Sequence, residues 1–147
     1  NDIQYGRDGI YVISSRKNTF RDNRMRDLRY AVHYMYTNDS EVSGNVSIGN
    51  HAGFAIMYSD RLKITGNLSV SDRDRGLFLN YANMSDIGEN MVKAAPEKCV
   101  FLYNANKNKF HDNWFEGCEI GIHFCCSSNH FLDDECTCYP APSCRIK

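Results

Sequence analysis

The side chains best suited to binding a metal ion are His33, Met35 and Met57. Thioether and imidazole groups are soft ligands of the kind that Cu(I) accepts. His33 and Met35 are two positions apart, so a β-strand would place both on one face, and Met57 follows 22 residues after Met35. The three residues predict a copper-binding surface. The alternative is that the methionines pack against the aromatic residues beside them.

Seven cysteines, an odd number, are a second source of soft ligands. Five of them crowd the C-terminal end: Cys125, Cys126, Cys136, Cys138 and Cys144. With His130 this end could form a zinc site, a local disulfide or an unstructured tail, and its C-x-C spacing differs from the usual C-x2-C zinc knuckle. Cys99 is expected to fill a small core position, and Cys118 to lie in a turn without an evident partner.

General acid/base catalysis would require carboxylates that share one strand face. The densest acidic cluster is D-R-D-R at residues 72–75, and alternating signs in a turn are typical of a solvated loop. No repeated position stacks carboxylates beside a basic residue, as cleavage of a glycoside would need. The sequence therefore predicts a protein that is not an enzyme, with no catalytic residues. A carbohydrate-binding or polysaccharide-cleaving protein is the alternative.

These residues belong to a repeat of 22 to 23 residues. Small residues open the units at intervals of 22, 22, 23, 23 and 22: Gly9, Ala31, Gly53, Gly76, Cys99 and Gly121. Asparagines close the same units at matching intervals: Asn23, Asn45, Asn67, Asn90 and Asn113. An apolar series keeps the same phase: Phe20, Val42, Ile64, Ile87, Phe110 and Phe131. A fixed period of this length indicates a solenoid.

Each unit contains three short segments with strand character. The first alternates with period two, as in Phe54, Ala55 and Ile56, which is typical of a strand with one buried face. Asn, Asp, Gly and Ser separate the segments and mark turns. The pattern predicts an all-β fold, a single-stranded parallel β-helix of about five to six coils of 22–23 residues. Residues 1–124 would form the repeats, and residues 125–147 a degraded last coil and cysteine-rich tail, either capping or non-native.

Stacking would place equivalent residues of successive coils roughly 4.8 Å apart, so each position becomes a ladder. The asparagine series predicts a ladder of amides that bond to one another and to turn backbone. Two other ladders hold the methionines and tyrosines. The first contains Met35, Met57, Asn80, Tyr103 and Cys125, and the second Tyr36, Tyr58, Tyr81, Asn104 and Cys126. His123 shares the column of His33 but lies four coils away, on the order of 19 Å, so the two cannot bind one ion.

Charge and hydropathy exclude two classes of partner. The formal net charge is -1 and the pI is near 6.6, which gives no basic surface for nucleic acid or an anionic membrane. No apolar run approaches the roughly 18 residues needed to span a bilayer, so direct membrane insertion is not expected. The chain opens with N-D-I-Q, neither an initiator methionine nor a signal peptide, so we expect a fragment or a processed product.

Five stretches in order along the chain are distinctive: H-Y-M-Y at residues 33–36, G-F-A-I-M-Y-S at 53–59, R-D-R-G-L-F-L-N-Y at 73–81, E-K-C-V-F-L-Y-N-A-N at 97–106 and G-C-E-I-G-I-H-F at 117–124. In their order and spacing they resemble the NosD family of periplasmic maturation factors of nitrous oxide reductase. The resemblance runs from about Gly9 to Phe124, and the residues after Phe124 depart from the family pattern.

Membership in this family implies a right-handed parallel β-helix of the carbohydrate-binding and sugar-hydrolase type, located in the periplasm. It also implies association with an ABC transporter made of membrane and ATPase subunits, with a copper chaperone and with nitrous oxide reductase. The implied role is a non-enzymatic accessory that scaffolds or relays copper or sulfur during assembly of the copper-sulfur centre. The family is often described as copper-binding, but its motifs do not fix the ligands.

Overall fold

The computed structural model describes residues 1–138, with side chains described through residue 134. The described residues form nineteen β-strands and no helix. The strands are β1 (Asp2–Gln4), β2 (Asp8–Arg16), β3 (Thr19–Arg21), β4 (Arg24–Arg26), β5 (Tyr30–Asn38), β6 (Glu41–Ser43), β7 (Val46–Ile48), β8 (Ala52–Met57), β9 (Lys63–Thr65), β10 (Leu68–Val70), β11 (Arg75–Asn80), β12 (Asp86–Gly88), β13 (Met91–Lys93), β14 (Lys98–Tyr103), β15 (Lys109–His111), β16 (Trp114–Cys118), β17 (Ile120–Cys125), β18 (His130–Leu132) and β19 (Glu135–Cys138).

Each coil contributes one strand to each of three parallel sheets. Sheet A has the order β1-β4-β7-β10-β13-β16-β19, sheet B has β2-β5-β8-β11-β14-β17, and sheet C has β3-β6-β9-β12-β15-β18. Neighbours in every sheet are therefore three strands apart along the chain, as a solenoid requires. Sheets of seven, six and six strands correspond to about six coils. The predicted parallel β-helix is confirmed.

The register between coils matches the repeat read from the sequence. Ile10 pairs with Val32, Val32 with Phe54 and Phe54 with Leu77, and the column continues through Val100 to Ile122. All of these except Ile10 are buried, as are Val42, Ile64, Ile87 and Phe110 of sheet C. The hydrophobic core is thus a set of apolar ladders between neighbouring coils, and it extends along the whole described solenoid.

The predicted asparagine ladder is also confirmed. The backbone N–H and the Nδ2 amide of Asn45 both donate to Oδ1 of Asn67, at 3.0 and 3.1 Å, and Nδ2 also donates to the carbonyl of Phe20 at 2.9 Å. The pattern repeats from Asn23 to Asn113 and ends on Oδ1 of Asp134. The residue before each ladder member adopts positive φ, with Gly at two of these corners and Asp or Glu at the others.

Asp72 lies inside the fold, so the prediction of a solvated loop at residues 72–75 is wrong for this residue. Its side chain is fully buried. Oδ2 accepts hydrogen bonds from the hydroxyls of Ser47 and Ser69 at 2.6 and 2.5 Å, and Oδ1 accepts one from the backbone N–H of Asn50 at 2.8 Å. Asp72 occupies the inward corner position that Asn50 fills one coil earlier. Burial raises the pKa of this carboxyl group above its ordinary value.

Cys99 and Cys118 form a disulfide across the interior, so the expectation that Cys118 lacks a partner is wrong. Both residues are buried, and they are 19 residues apart in sequence. Cys99 lies in β14 of sheet B and Cys118 ends β16 of sheet A. The bond therefore joins two sheets through the core. Comparison of equivalent positions in different coils cannot detect a pair of this kind.

The chain after residue 124 adds β18 to sheet C and β19 to sheet A. The division of the chain at residue 124 stays a prediction. The side chains of Cys136, Cys138 and Cys144 are not among those that the structure describes. The alternatives of a zinc site or a local disulfide at this end therefore concern residues outside the described side chains. Residues 139–147 lie beyond the described part of the chain.

Replacing Cys99 and Cys118 together by Ala should lower the free energy of unfolding by about 3 kcal/mol, the typical effect of cross-linking a loop of this length. Urea denaturation of both proteins measures the difference. The double variant Cys125→Ala/Cys126→Ala removes two thiols outside the core and is the matched control. A loss of the same size in the control would contradict a special role for the buried bond.

Asp72→Asn should stabilise the protein at neutral pH, because an amide at this position can bond as Asn50 does without a buried charge. Since burial raises the pKa of Asp72, the folded state holds the proton more tightly than the unfolded chain. The stability of the wild type therefore falls as pH rises from the ordinary aspartate pKa through the raised value. The stability difference between variant and wild type should grow across this window and then level off.

Urea unfolding at a series of pH values tests this expectation. Asp74→Asn, which removes a charge from the partly exposed part of the same corner, is the control. A constant difference between Asp72→Asn and the wild type across the window would show that the buried carboxyl group does not set the pH dependence.

Candidate functional site

The outward side of sheet B carries the residues that the sequence predicts as metal ligands. In β5 the side chains of Val32 and Tyr34 are buried in the core, and His33 and Met35 alternate with them on the other side. We call this side the outer B face. Its two central columns are Tyr11, His33, Ala55, Phe78, Phe101, His123 and Ile13, Met35, Met57, Asn80, Tyr103, Cys125.

His33 is held by a carboxylate from the preceding coil. Its Nδ1 atom is 3.2 Å from Oδ2 of Asp8, and Arg29 donates two hydrogen bonds to the same carboxylate at 2.8 and 2.6 Å. Nδ1 is also 3.5 Å from Arg29, but Asp8 is nearer and takes the guanidinium donors. The Nδ1–H group of His33 therefore donates to Asp8. Burial opposes ionisation of Asp8, yet the hydrogen bonds from Arg29 and His33 lower its pKa overall.

The second ring nitrogen of His33, Nε2, is buried without a hydrogen-bond partner among the described residues. The His33 side chain is 8% exposed, and the rings of Tyr11 and Tyr30 cover it at centroid distances of 4.9 and 5.0 Å. With the proton on Nδ1, Nε2 carries the free lone pair. Histidines that bind metals usually have this tautomer, with the other ring nitrogen donating to a carboxylate or carbonyl. The sequence alone did not identify Asp8, Tyr11 or Arg29 as neighbours of His33.

Met35 and Met57 are direct neighbours in the ladder between β5 and β8. Both are partly buried. The sulfur of Met35 is 3.8 Å from the Tyr11 hydroxyl, which donates a weak hydrogen bond to it. The structure thus places His33, Met35 and Met57 on one face of two adjacent coils. Their joint action as copper ligands stays a prediction, and contact with Tyr11 is the packing that the alternative expects.

The side chains that most often bind metal ions do not cluster in the described part of the chain. Among the side chains that the structure describes, no group of three or more His, Cys, Asp or Glu residues could hold a metal ion. A metal site on the outer B face would therefore depend on thioether sulfur or on pairs of ligands. Such a donor set favours Cu(I) over Zn(II), Mg²⁺ or Ca²⁺, which prefer fuller shells of nitrogen, thiolate or oxygen ligands.

A stack of tyrosines lies at the corner beside the methionines. Tyr36, Tyr58 and Tyr81 all have φ near 50° and are 41–52% exposed. Successive ring centroids are 5.1 and 5.2 Å apart with interplanar angles of 19° and 8°. Both faces of the Tyr58 ring are covered by its neighbours, so the middle of the stack presents a ring edge and a hydroxyl. A sugar ring stacks on a free aromatic face, which Tyr58 does not offer.

Cationic side chains cover the aromatic pair in the middle of the same face. Phe78 and Phe101 stack at 5.5 Å, and the Arg75 guanidinium lies 4.7 and 4.9 Å from their centroids. Lys98 lies 5.6 Å from the Phe101 ring. Cation–π contacts of this kind stabilise the arrangement by roughly 0.5–1 kcal/mol each at exposed sites. Arg75, the second arginine of the D-R-D-R stretch, thus has a structural role that the sequence reading missed.

Two free thiols lie at the far end of the outer B face. Cys125 is half-buried and Cys126 is exposed, and their sulfur atoms are 3.7 Å apart. The hydrogen bond between the two thiols raises the pKa of Cys125. The sequence reading placed these residues in two separate columns, and neither column alone indicates that the sulfur atoms meet.

The described residues contain no helical segment that could span a membrane. A family model described as "Periplasmic copper-binding protein (NosD)" matches residues 1–133. Two curated relatives are each named "Probable ABC transporter binding protein NosD". The protein of Stutzerimonas stutzeri is 34% identical over 89 residues, 51% of this chain and 20% of the relative. That of Pseudomonas aeruginosa is 33% identical over 83 residues, 48% of this chain and 19% of the relative.

The matched segments cover about a fifth of the length of these two relatives. The family model, by contrast, covers most of this chain, including all three predicted ligands and the disulfide. The resemblance read from the five sequence stretches is therefore confirmed. The match continues past Phe124 to residue 133, so the expectation that the chain departs from the family pattern directly after Phe124 is wrong for residues 125–133. The chain belongs to the NosD family, whose description is that of a periplasmic copper-binding protein.

Proposed function

We propose that this chain carries Cu(I) as cargo on its outer B face, as part of a periplasmic, non-enzymatic accessory protein that helps to assemble the copper-sulfur centre of nitrous oxide reductase. The observation that carries the proposal is the buried, unpartnered Nε2 atom of His33 beside the Met35–Met57 ladder. The family description supports copper as the ion. The names of the two relatives, as binding proteins, support an accessory role.

The imidazole and thioether ligands suit a metal ion that is bound temporarily and then transferred to another protein. Imidazole and thioether ligands are neutral and soft, so they accept Cu(I) and bind harder divalent ions poorly. Asp8 fixes the ring of His33 with Nε2 directed away from the carboxylate, and the Arg29–Asp8 pair keeps that carboxylate ionised. The site is therefore prepared before the ion arrives, whereas the flexible methionines can release it.

The proposed partners follow from the same family. An ABC transporter, through its membrane and ATPase subunits, would associate with the whole protein, as the relatives' names suggest. A copper chaperone would deliver the ion and nitrous oxide reductase would receive it. Depolymerisation of uronic-acid polymers by this chain would contradict the non-enzymatic role.

Anaerobic titration with Cu(I), in competition with a chromophoric chelator, tests the ligands. The variant Met35→Leu/Met57→Leu keeps side-chain volume but removes both sulfur atoms, and should lower the Cu(I) affinity of the site formed by His33, Met35 and Met57 at least tenfold. His33→Ala should do the same. Met84→Leu/Met91→Leu, which replaces two exposed methionines away from the outer B face, is the matched control. Unchanged affinity and stoichiometry in both ligand variants would leave the methionines a packing role alone.

Asp8→Asn should weaken Cu(I) binding by about 10–100-fold without touching a ligand, because the carboxylate holds His33 in the required tautomer. Asp39→Asn is the matched control, since Asp39 also receives two hydrogen bonds from an arginine but lies on another surface. Nitrogen NMR of the His33 ring should show the proton on Nδ1 in the wild type and a tautomer mixture in Asp8→Asn. Equal effects of the two substitutions would refute the positioning role.

A further inference from the structure

The two free thiols, Cys125 and Cys126, are neighbours in the chain and in space. Their sulfur atoms are 3.7 Å apart, one half-buried and one exposed. Cys125 continues the ladder of Met35 and Met57, and Cys126 follows the corner column of the stacked tyrosines. The pair therefore lies on the outer B face, where Cys125 ends the sixth strand of sheet B and Cys126 follows it at the corner.

The fold brings these sulfur atoms together. Consecutive residues of a strand normally point to opposite sides, but Cys126 adopts φ of 54° and turns the chain at the corner. The carbonyl of Cys125 accepts hydrogen bonds from the backbone N–H of Asn104 and from the Ser127 hydroxyl, both at 3.0 Å. The backbone N–H of Ala105 donates to the same hydroxyl at 3.0 Å. The corner is thus fixed to the preceding coil on both sides of the thiol pair.

The pair differs in chemistry from the other described cysteines. Cys99 and Cys118 are buried and oxidised, so they contribute to stability and offer no ligand. Cys125 and Cys126 are unbonded and reachable from solvent. Two convergent thiolates suffice for Cu(I), which accepts two-coordinate sulfur ligation. Zn(II) requires about four ligands, and the described side chains supply no third His, Cys, Asp or Glu to the pair.

We infer that Cys125 and Cys126 form a second Cu(I) site on the outer B face. The inference rests on the proposed function for the identity of the ion. On binding, each thiol gives its proton to solvent, two Cu–S bonds form, and neither copper nor sulfur changes oxidation state. Cys125 is three coils from Met57 in the same ladder, about 14 Å by strand spacing, so the two sites hold separate ions.

The thiol pair should bind Cu(I) more tightly than the His33, Met35 and Met57 group. Its thiolates are anionic, whereas imidazole and thioether ligands are neutral, so the pair compensates the charge of the ion directly. The first equivalent of Cu(I) should therefore occupy Cys125 and Cys126, and the second the histidine and methionines.

Anaerobic Cu(I) titration of the full chain, with the thiols reduced beforehand under conditions that leave the buried Cys99–Cys118 disulfide intact, tests the assignment. Cys136, Cys138 and Cys144 are first replaced by Ser, so that the only free thiols are those of the pair. Adding Cys125→Ser or Cys126→Ser to this background should remove the tighter of the two equivalents. One equivalent of Cu(I) should also protect both thiols from iodoacetamide, and X-ray absorption should show two sulfur neighbours around the copper. Retention of the tight equivalent in both Ser variants would overturn the inference.

The variant His33→Ala/Met35→Leu/Met57→Leu separates this inference from the proposed function. If it keeps the tight equivalent and loses only the weaker one, both sites stand. If it binds as the wild type does while the Ser variants lose an equivalent, the thiol site stands and the histidine-methionine site fails. Zn(II) is the control ion. Zinc that protects the two thiols as well as Cu(I) does would overturn the assignment of a two-coordinate Cu(I) site.

Discussion

The hydrogen bonds between asparagine side chains of successive coils fix the register on which the rest of the structure depends. From Asn23 to Asn113, each amide and its own backbone N–H donate to Oδ1 one coil further along, and from Asn45 onward each Nδ2 also donates to a carbonyl of the coil before. These groups are buried, so each bond that is lost would leave a polar group unsatisfied at a cost of about 1–3 kcal/mol. A slip of one residue would break every rung together.

This register turns the outer B face into a set of columns whose chemistry is set one residue per coil. Replacing a single side chain changes one rung and leaves the backbone bonds above and below in place. The corner geometry adds to this, because the same positive-φ position recurs beside the ladder of Met35 and Met57 in each coil. At this position tyrosines stack in the middle coils, and in the coil of β17 the thiol of Cys126 lies beside that of Cys125. In such a fold the side chains that determine the chemistry of a face follow one another along the axis of the β-helix.

Contacts between equivalent positions of successive coils could be predicted from the sequence, whereas contacts between non-equivalent positions could not. The asparagine ladder, the core columns and the common face of His33, Met35 and Met57 could be predicted, because each relates equivalent positions. The contact of Asp8 with His33 is diagonal, since the register partner of Asp8 is Tyr30. The disulfide crosses the core between sheets, and Asp72 turns inward at a corner. Periodicity carries no signal for contacts of these three kinds.

The ladder that joins the two proposed sites also limits how copper could pass between them. Between Met57 and Cys125 it contains Asn80 and Tyr103. An amide and a phenol are hard oxygen or nitrogen groups that bind Cu(I) poorly compared with sulfur. About 14 Å of strand spacing separates the sulfur donors, well beyond the span of one ion. Direct transfer along the face is therefore excluded by its chemistry, and exchange between the sites requires a carrier that supplies its own soft ligands.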